Sequence, residues 1–413
     1  MVYICVFLVL ILGLRFDKRK WSNSAQRWWA FEWLVLVLLA GLRYRVGGDT
    51  LGYFDMHSNM PTLVDLAKEK NLLDLQYMPL WHLFVALCLQ ITKDFVFLQI
   101  IEAIIVNSVI FWFIKKYANR PFLTVIFYFF MIYPYYNMEM LRQVLSVCCF
   151  LLAIPSLIEK KFVRYYLWTI VALGFHHSAI VLLLVPPIYY FMKDAVSKYF
   201  VFFMIAFVLG LTFVTQMDTV SSTIRTIGLM RVGDEMEISN MVGNITIFGT
   251  LFRLLTEWLV AFLFLVLYKQ INSNARAFLA LYVFFLGVGI PVYLMYRIVD
   301  YFTFPFYIVI LNCLDDLVLS KRKSTNVLKT TSYCSEARYI VRAKKPLGFV
   351  TFLSVLLVLN VMVIRINYYM LDRSIVTGKQ GSYFYNLYVP YSSVFDPEEY
   401  PWREEIYYNQ TKL

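Results

Sequence analysis

The sequence predicts an all-α fold, a polytopic integral membrane bundle of about 12 transmembrane helices (about 11–13) joined by short loops. Three observations predict it. Of 413 residues, 60% are hydrophobic and only 16% charged, against about 45–50% and about 25% in soluble domains. Apolar runs recur along nearly the whole chain. Between them, basic residues gather in short clusters, as loops that orient spanning helices do. This composition excludes a soluble enzyme, a disordered tail and a disulfide-stapled secreted domain.

The runs, taken in order, are 2–14, 28–42, 78–92, 95–114, 121–136, 139–158, 163–175, 177–192, 197–215, 247–268, 275–295, 298–319 and 347–369. A spanning helix needs about 20 mainly apolar residues, so several of these are short. The first could pass for a signal peptide, but its basic residues follow it and no small-residue cleavage site appears, so it reads as a retained span. No internal repeat or low-complexity stretch divides the chain. Residues 1–413 therefore read as a single membrane domain, with outer loops at about 43–77 and 216–246, a cytoplasmic basic loop at 320–346 and an outer tail at 370–413.

Orientation follows from the basic residues. Arg15, Lys18, Arg19, Lys20 and Arg27 load the first loop. Lys115, Lys116 and Arg120, then Lys160, Lys161 and Arg164, then Lys193 and Lys198, then Lys269 and Arg276 mark four more. The loop 320–346 is the most basic of all, from Lys321 to Lys345. With all six in the cytoplasm, the intervening loops from 121 onward alternate outside. One conflict remains: the stretch 78–114 must cross an odd number of times, yet it holds two runs. The 78–92 run, short and opened by Pro79, is the one expected to lie in the interface or re-enter. Twelve crossings with both termini outside result.

The net charge of +11 would suggest nucleic acid as a partner in a soluble protein. Here it is an orientation signal, and no nucleic-acid partner is expected. Cys5, Cys88, Cys148, Cys149, Cys313 and Cys334 lie mostly inside apolar runs with no CxxC spacing, and read as small core residues.

Polar clusters collect at the outward ends. Leu42–Tyr53 carries Arg43, Arg45, Gly47, Gly48, Asp49 and Tyr53 directly after the second run. Arginine forks suit phosphate, although Arg and Tyr are also ordinary interfacial anchors. Glu139, Arg142 and Gln143 open a mid-chain helix, and Glu139 with Arg142 at i,i+3 can pair on one face; a snorkelling Arg142 is the plainer alternative. His176 and His177, followed by Ser178, sit between two short runs. An imidazole suits a general base for a sugar hydroxyl, while an interfacial histidine pair without chemistry fits equally. HxxxH or HExxH spacing is absent, so no metal site is expected. Arg297, Asp300 and Tyr301, flanked by Pro291 and Pro305, make either a buried ion pair or the wall of a cavity. The tail segment Tyr388–Phe395 is aromatic and stiffened by Pro390, suited to fold over such a cavity or to anchor at a lipid surface.

At these residues the sequence resembles the EpsG family of bacterial exopolysaccharide proteins, related to Wzy-type polymerases. The resemblance rests on an Arg, Gly, Asp and Tyr block after the second helix (Arg45, Gly47 or Gly48, Asp49, Tyr53) and on the Arg142–Gln143 pair. It rests also on His176 with Ser178 and Ala179 behind it, on Arg297, Asp300 and Tyr301, and on Pro390, Tyr391 and Ser393. It covers roughly residues 1–400, and the order of the motifs carries it. The resemblance implies a glycosyltransferase-type polymerase in the bacterial cytoplasmic (inner) membrane. Such an enzyme joins undecaprenyl-diphosphate-linked oligosaccharide repeats at the outer face, for capsule, exopolysaccharide or O-antigen. Arg45, Arg142 and Arg297 would steady the departing diphosphate, and His176, with Asp49 as competitor, would be the catalytic base. Tyr53, Gln143, His177, Asp300 and Tyr301 would line the substrate. No cofactor is implied, since the leaving group is already activated and no P-loop or GxGxxG is present. Membrane lipid, a flippase and a chain-length regulator would be its partners. The competing classes are a transporter or flippase of lipid-linked oligosaccharide, and a ligase or acyltransferase acting on the same glycans.

Overall fold

The computed structural model describes residues 1–17, 21–57, 59–68, 77–195, 199–215, 248, 250–251, 254, 271–291, 296–322, 388–401 and 403–404. Among them the regular structure is helical, with isolated bridges joining Arg43 to Ser393 and Ser393 to Asp396. The chain divides into two compact units, residues 1–180 with 361–413, and residues 181–360. The predicted runs 247–268 and 347–369, the outer loop 216–246, and the basic loop beyond residue 322 lie largely or wholly outside the described residues.

In the first unit the helices are α1 (Val2–Gly13), α2 (Asn23–Gly41), α3 (Gly48–His57), α4 (Leu63–Lys68), α5 (Pro79–Leu89), α6 (Phe95–Tyr117), α7 (Pro121–Met131), α8 (Tyr133–Met138), α9 (Leu141–Ile158) and α10 (Phe162–Phe175). Caps written in the sequence set several of their ends. The Ser22 hydroxyl accepts the Ala25 N–H at 3.2 Å, and the Asp94 carboxylate accepts the Val96 N–H at 2.9 Å. Asp17 caps α7 from a distance, accepting Phe122 and Leu123 N–H groups at 2.9 Å each. Lys115 and Lys116 occupy the last turn of α6, where the helix dipole favours positive charge.

Two helices, Phe95–Tyr117 and Leu141–Ile158, are long and apolar enough to cross a membrane; other apolar helices of the described residues are shorter. Exposed side chains repeat at helical spacing: Ile4, Leu8 and Leu12 on α1, Phe31, Leu34 and Leu38 on α2, and Val163, Leu167 and Ile170 on α10. Apolar stripes of this kind, facing outward, suit hydrocarbon rather than water. The interior of this unit centres on α6, which packs on α2 and α9, with α10 against α9 and α5 against α10. At 11 residues α5 is about 16 Å long, half the hydrocarbon thickness of about 30 Å.

The run predicted at 121–136 is broken in two. Ile132 leaves helical geometry and Pro134 starts a new turn, giving α7 and then α8. A closed triangle of buried hydrogen bonds holds α8 in place: Asn107 Nδ2 donates to Asn137 Oδ1 at 2.7 Å, Asn137 Nδ2 to the Tyr128 hydroxyl at 2.7 Å, and that hydroxyl to Asn107 Oδ1 at 3.3 Å. In an apolar interior such groups must find each other. Their pairing fixes where Met138 and Glu139 emerge.

In the second unit α11 (Val185–Ala195), α12 (Phe200–Thr215), α13 (Ser273–Gly289) and α14 (Tyr296–Arg322) follow a 3-10 segment at His177–Leu184. Here α13 is central, packing on α11, α12 and α14. Tyr282 stacks on Phe306 at 4.2 Å and Phe285 on Phe302 at 5.2 Å, binding α13 to α14.

Candidate functional site

The site grows from the turn that follows α2. Gly47 adopts φ +103°, and a Cβ there would sit 2.2 Å from the Met138 carbonyl oxygen, so only glycine allows this approach. The approach brings the start of α3 onto the end of α8. Glu139 then accepts the Gly48 N–H at 2.5 Å and the Asp49 N–H at 2.8 Å, while the Thr50 hydroxyl donates to the Met138 carbonyl at 2.7 Å. The N-terminus of α3 is thus capped by a carboxylate from another helix junction. Arg43 is buried behind the turn and donates to the carbonyls of Val46 at 3.2 Å and Ala40, and to the Thr50 hydroxyl at 3.1 Å.

This arrangement corrects the expected Glu139–Arg142 pair. With the carboxylate drawn to the orphan amides of α3, Arg142 turns to aromatic partners instead. Its Nε donates to the Tyr53 hydroxyl at 2.5 Å, and its guanidinium lies 4.0 Å over the Tyr77 ring and 5.6 Å from the Tyr53 ring. Burial, partly offset by Arg142, holds the Tyr53 hydroxyl up at about 12, so it is neutral at physiological pH. Tyr77, Trp81 and His82 enclose this group and were not singled out from the sequence; a His and a Trp behind Pro79 were the available signal.

Asp49 lies in the first turn of α3 with its side chain exposed. Gln143 is buried beside Arg142 in the first turn of α9. Arg45 is committed elsewhere: its guanidinium bonds Glu404 at 2.8 Å, reaches Asp55 at 3.8 Å and stacks on Phe54 at 4.9 Å. The tail lies on the same turn. Ser392 and Leu42 carbonyls accept N–H groups from Tyr44 and Val394 at 2.9 and 3.0 Å, Tyr391 donates to the Leu39 carbonyl at 2.9 Å, and Tyr388 bonds Glu139.

His176 closes α10. The Ser146 hydroxyl of α9 donates to the Ala172 carbonyl of α10 at 2.9 Å, tying these antiparallel neighbours together. Arg142 is one turn beyond Ser146 and His176 one turn beyond Ala172, each about 6 Å along its axis. Arg142 and His176 therefore stand at the same end of the pair. The buried His176 ring accepts the Ser178 N–H at its Nδ1 at 3.2 Å, with the Ser178 hydroxyl at 2.7 Å from the same atom. Its neutral form thus carries the proton on Nε2. The exposed His177 stacks on it at 4.4 Å.

Residues 27–343 match the family model for the EpsG family. The chain belongs to the EpsG family. No curated protein and no solved structure matches it. EpsG-family membership associates the chain with polysaccharide polymerisation in a membrane, and so with exopolysaccharide biosynthesis and lipid-linked oligosaccharide. The matched range contains the whole constellation of Asp49, Tyr53, Arg142 and His176, and extends over the second unit's Arg297, Asp300 and Tyr301, which open α14 with Tyr301 buried and the other two half-buried.

Proposed function

We propose that this EpsG protein polymerises undecaprenyl-diphosphate-linked oligosaccharide repeats at the outer face of the bacterial cytoplasmic membrane, in a single multi-pass domain with about twelve crossings. One observation carries the reading: a guanidinium held between two tyrosines, Arg142, shares one end of the first unit with an exposed carboxylate, Asp49, and a histidine, His176. Cation, base and donor together are what glycosyl transfer from a diphosphate requires; a flippase needs only the cation.

In the proposed reaction a hydroxyl oxygen of the acceptor repeat bonds to the anomeric carbon of the donor glycan. The bond from that carbon to the diphosphate oxygen breaks, and the lipid diphosphate leaves with the electron pair. Arg142 balances the charge gathering on the diphosphate. Asp49 takes the hydroxyl proton, since a carboxylate open to solvent accepts it directly. His176, with its proton on Nε2, donates a hydrogen bond to an oxygen of donor or acceptor and stays neutral throughout, its Nδ1 held by the Ser178 N–H. Tyr53, Gln143 and His177 border the glycan, and Arg45 stabilises the turn through Glu404 more than it meets substrate. A flippase that delivers the repeats and a chain-length regulator are the natural partners.

The test is purified protein in nanodiscs with lipid-linked repeat units. A ladder of longer glycans supports the reading. Movement of labelled lipid across the bilayer with no ladder would assign a flippase, and transfer to a different acceptor would assign a ligase or acyltransferase.

A further inference from the structure

Two polar groups in the first turn of α5 hold a proton with no acceptor among the described residues. Trp81 and His82 are both buried, and neither Trp81 Nε1 nor His82 Nδ1 has a hydrogen-bond partner among the described residues. The His82 tautomer follows from its other nitrogen. Nε2 accepts the Tyr77 N–H at 3.1 Å, so the neutral ring carries its proton on Nδ1. Buried donors are nearly always satisfied. Two in consecutive positions, within one turn, describe a place shaped for an acceptor that arrives from outside.

The surroundings agree on the charge of that acceptor. Trp81 packs edge-on against Tyr53 at 5.6 Å, and His82 stacks on Tyr77 at 5.7 Å. Tyr53 and Tyr77 are the two rings that hold the Arg142 guanidinium. Helix α5, 11 residues long with Pro79 in its first turn, directs its positive end to the same corner. An indole N–H, an imidazole N–H, a guanidinium and a helix N-terminus all favour negative oxygen.

We propose that this corner is an oxyanion site, where Trp81 Nε1–H and His82 Nδ1–H donate to phosphate oxygens of an anion paired with Arg142. The ligand class is a phosphate or diphosphate group. Its assignment to the diphosphate of the glycan donor rests on the polymerase reading; the site itself does not. Trp81 and His82 are substrate-binding residues in this view.

Two conservative replacements of His82 separate the roles of its nitrogens. Asn places an N–H near the Nδ1 position, whereas Gln keeps an acceptor toward Tyr77 and removes the Nδ1 donor. The full chain is placed in phosphatidylcholine nanodiscs and its thermal midpoint followed with increasing inorganic pyrophosphate. Wild type and His82→Asn should rise together, while His82→Gln and Trp81→Phe weaken apparent pyrophosphate affinity about tenfold. Wild-type affinity in His82→Gln, or no response in wild type, overturns the site. Should His82→Gln misfold, wild-type protein labelled with 15N-histidine gives the second readout: a His82 Nδ1–H resonance that stays unmoved by pyrophosphate also overturns it. A response abolished by phosphatidylglycerol assigns the anion to a lipid headgroup, and one that persists assigns it to a diphosphate. A polymer ladder without His82-dependent affinity overturns this site and leaves the polymerase; the site without a ladder does the reverse.

Discussion

The Glu139 carboxylate accepts the backbone N–H of Asp49 at 2.8 Å, across ninety positions of sequence. That bond, with its partner to Gly48, seats the N-terminus of α3 and so sets where the Asp49 side chain and Tyr53 stand. Removing it should be felt as a lost cap. Glu139→Ala is expected to destabilise the α3 start by about 0.5–2 kcal/mol. Hydrogen exchange at the amides of Gly48 and Asp49 checks this, with protection falling there and staying unchanged in α6.

The same carboxylate makes stability depend on pH. Burial first, then repulsion from Asp49, raises the Glu139 carboxyl to about 7. A carboxyl raised on folding contributes stability that is complete below its unfolded value and is lost as pH rises through the folded one. The thermal midpoint of wild type should therefore drop between pH 5 and pH 8. In Glu139→Gln the drop should shrink, and an equal drop in both proteins would refute this assignment.

Gly47 leaves no room for a side chain. At φ +103°, with the Met138 carbonyl oxygen 2.2 Å from where Cβ would stand, Gly47→Ala must displace the turn or α8. The expected cost is about 1–3 kcal/mol. A lower midpoint and loss of polymer together are the predicted result, measured on the detergent-purified variant.

Arg142 depends on Tyr53 for its direction. Tyr53→Phe removes the acceptor 2.5 Å from Nε while keeping the ring, and polymer yield should fall about tenfold. Arg142→Ala and His176→Ala should abolish polymer while the protein still inserts. Wild-type chain lengths in cells carrying either one would sink the placement of the site.

Orientation is checked by impermeant thiol labelling in a cysteine-free background. Phe395→Cys, at a position 82% exposed, should label in intact cells. Lys115→Cys should label only after the membrane is opened, and labelling from outside would invert the proposed orientation of that loop.

The two long apolar helices were legible in the sequence because their causes are local, whereas the break at Ile132 and the helices α3 and α4 within the 43–77 stretch were not. The apolar run at 95–114 became α6, the one at 139–158 became α9, and Ser22 and Asp94 mark helix starts by the oxygen each carries. The resemblance to EpsG proteins rested on Arg, Asp, His and Tyr side chains already visible in one dimension, and residues 27–343 match that family. The partners of those side chains were another matter. Spacing allowed Glu139 to pair with Arg142 on one face, but the fold supplied α3, whose orphan N-terminal amides the carboxylate accepts instead. Likewise only the folded chain sets Arg142 on Tyr77, commits Arg45 to Glu404, and fixes the proton on His82 through the Tyr77 amide. Periodicity and polarity are properties of neighbours along the chain, and they determined the helices. Hydrogen bonds form between groups that meet in space, and only the tertiary structure decided which of them do.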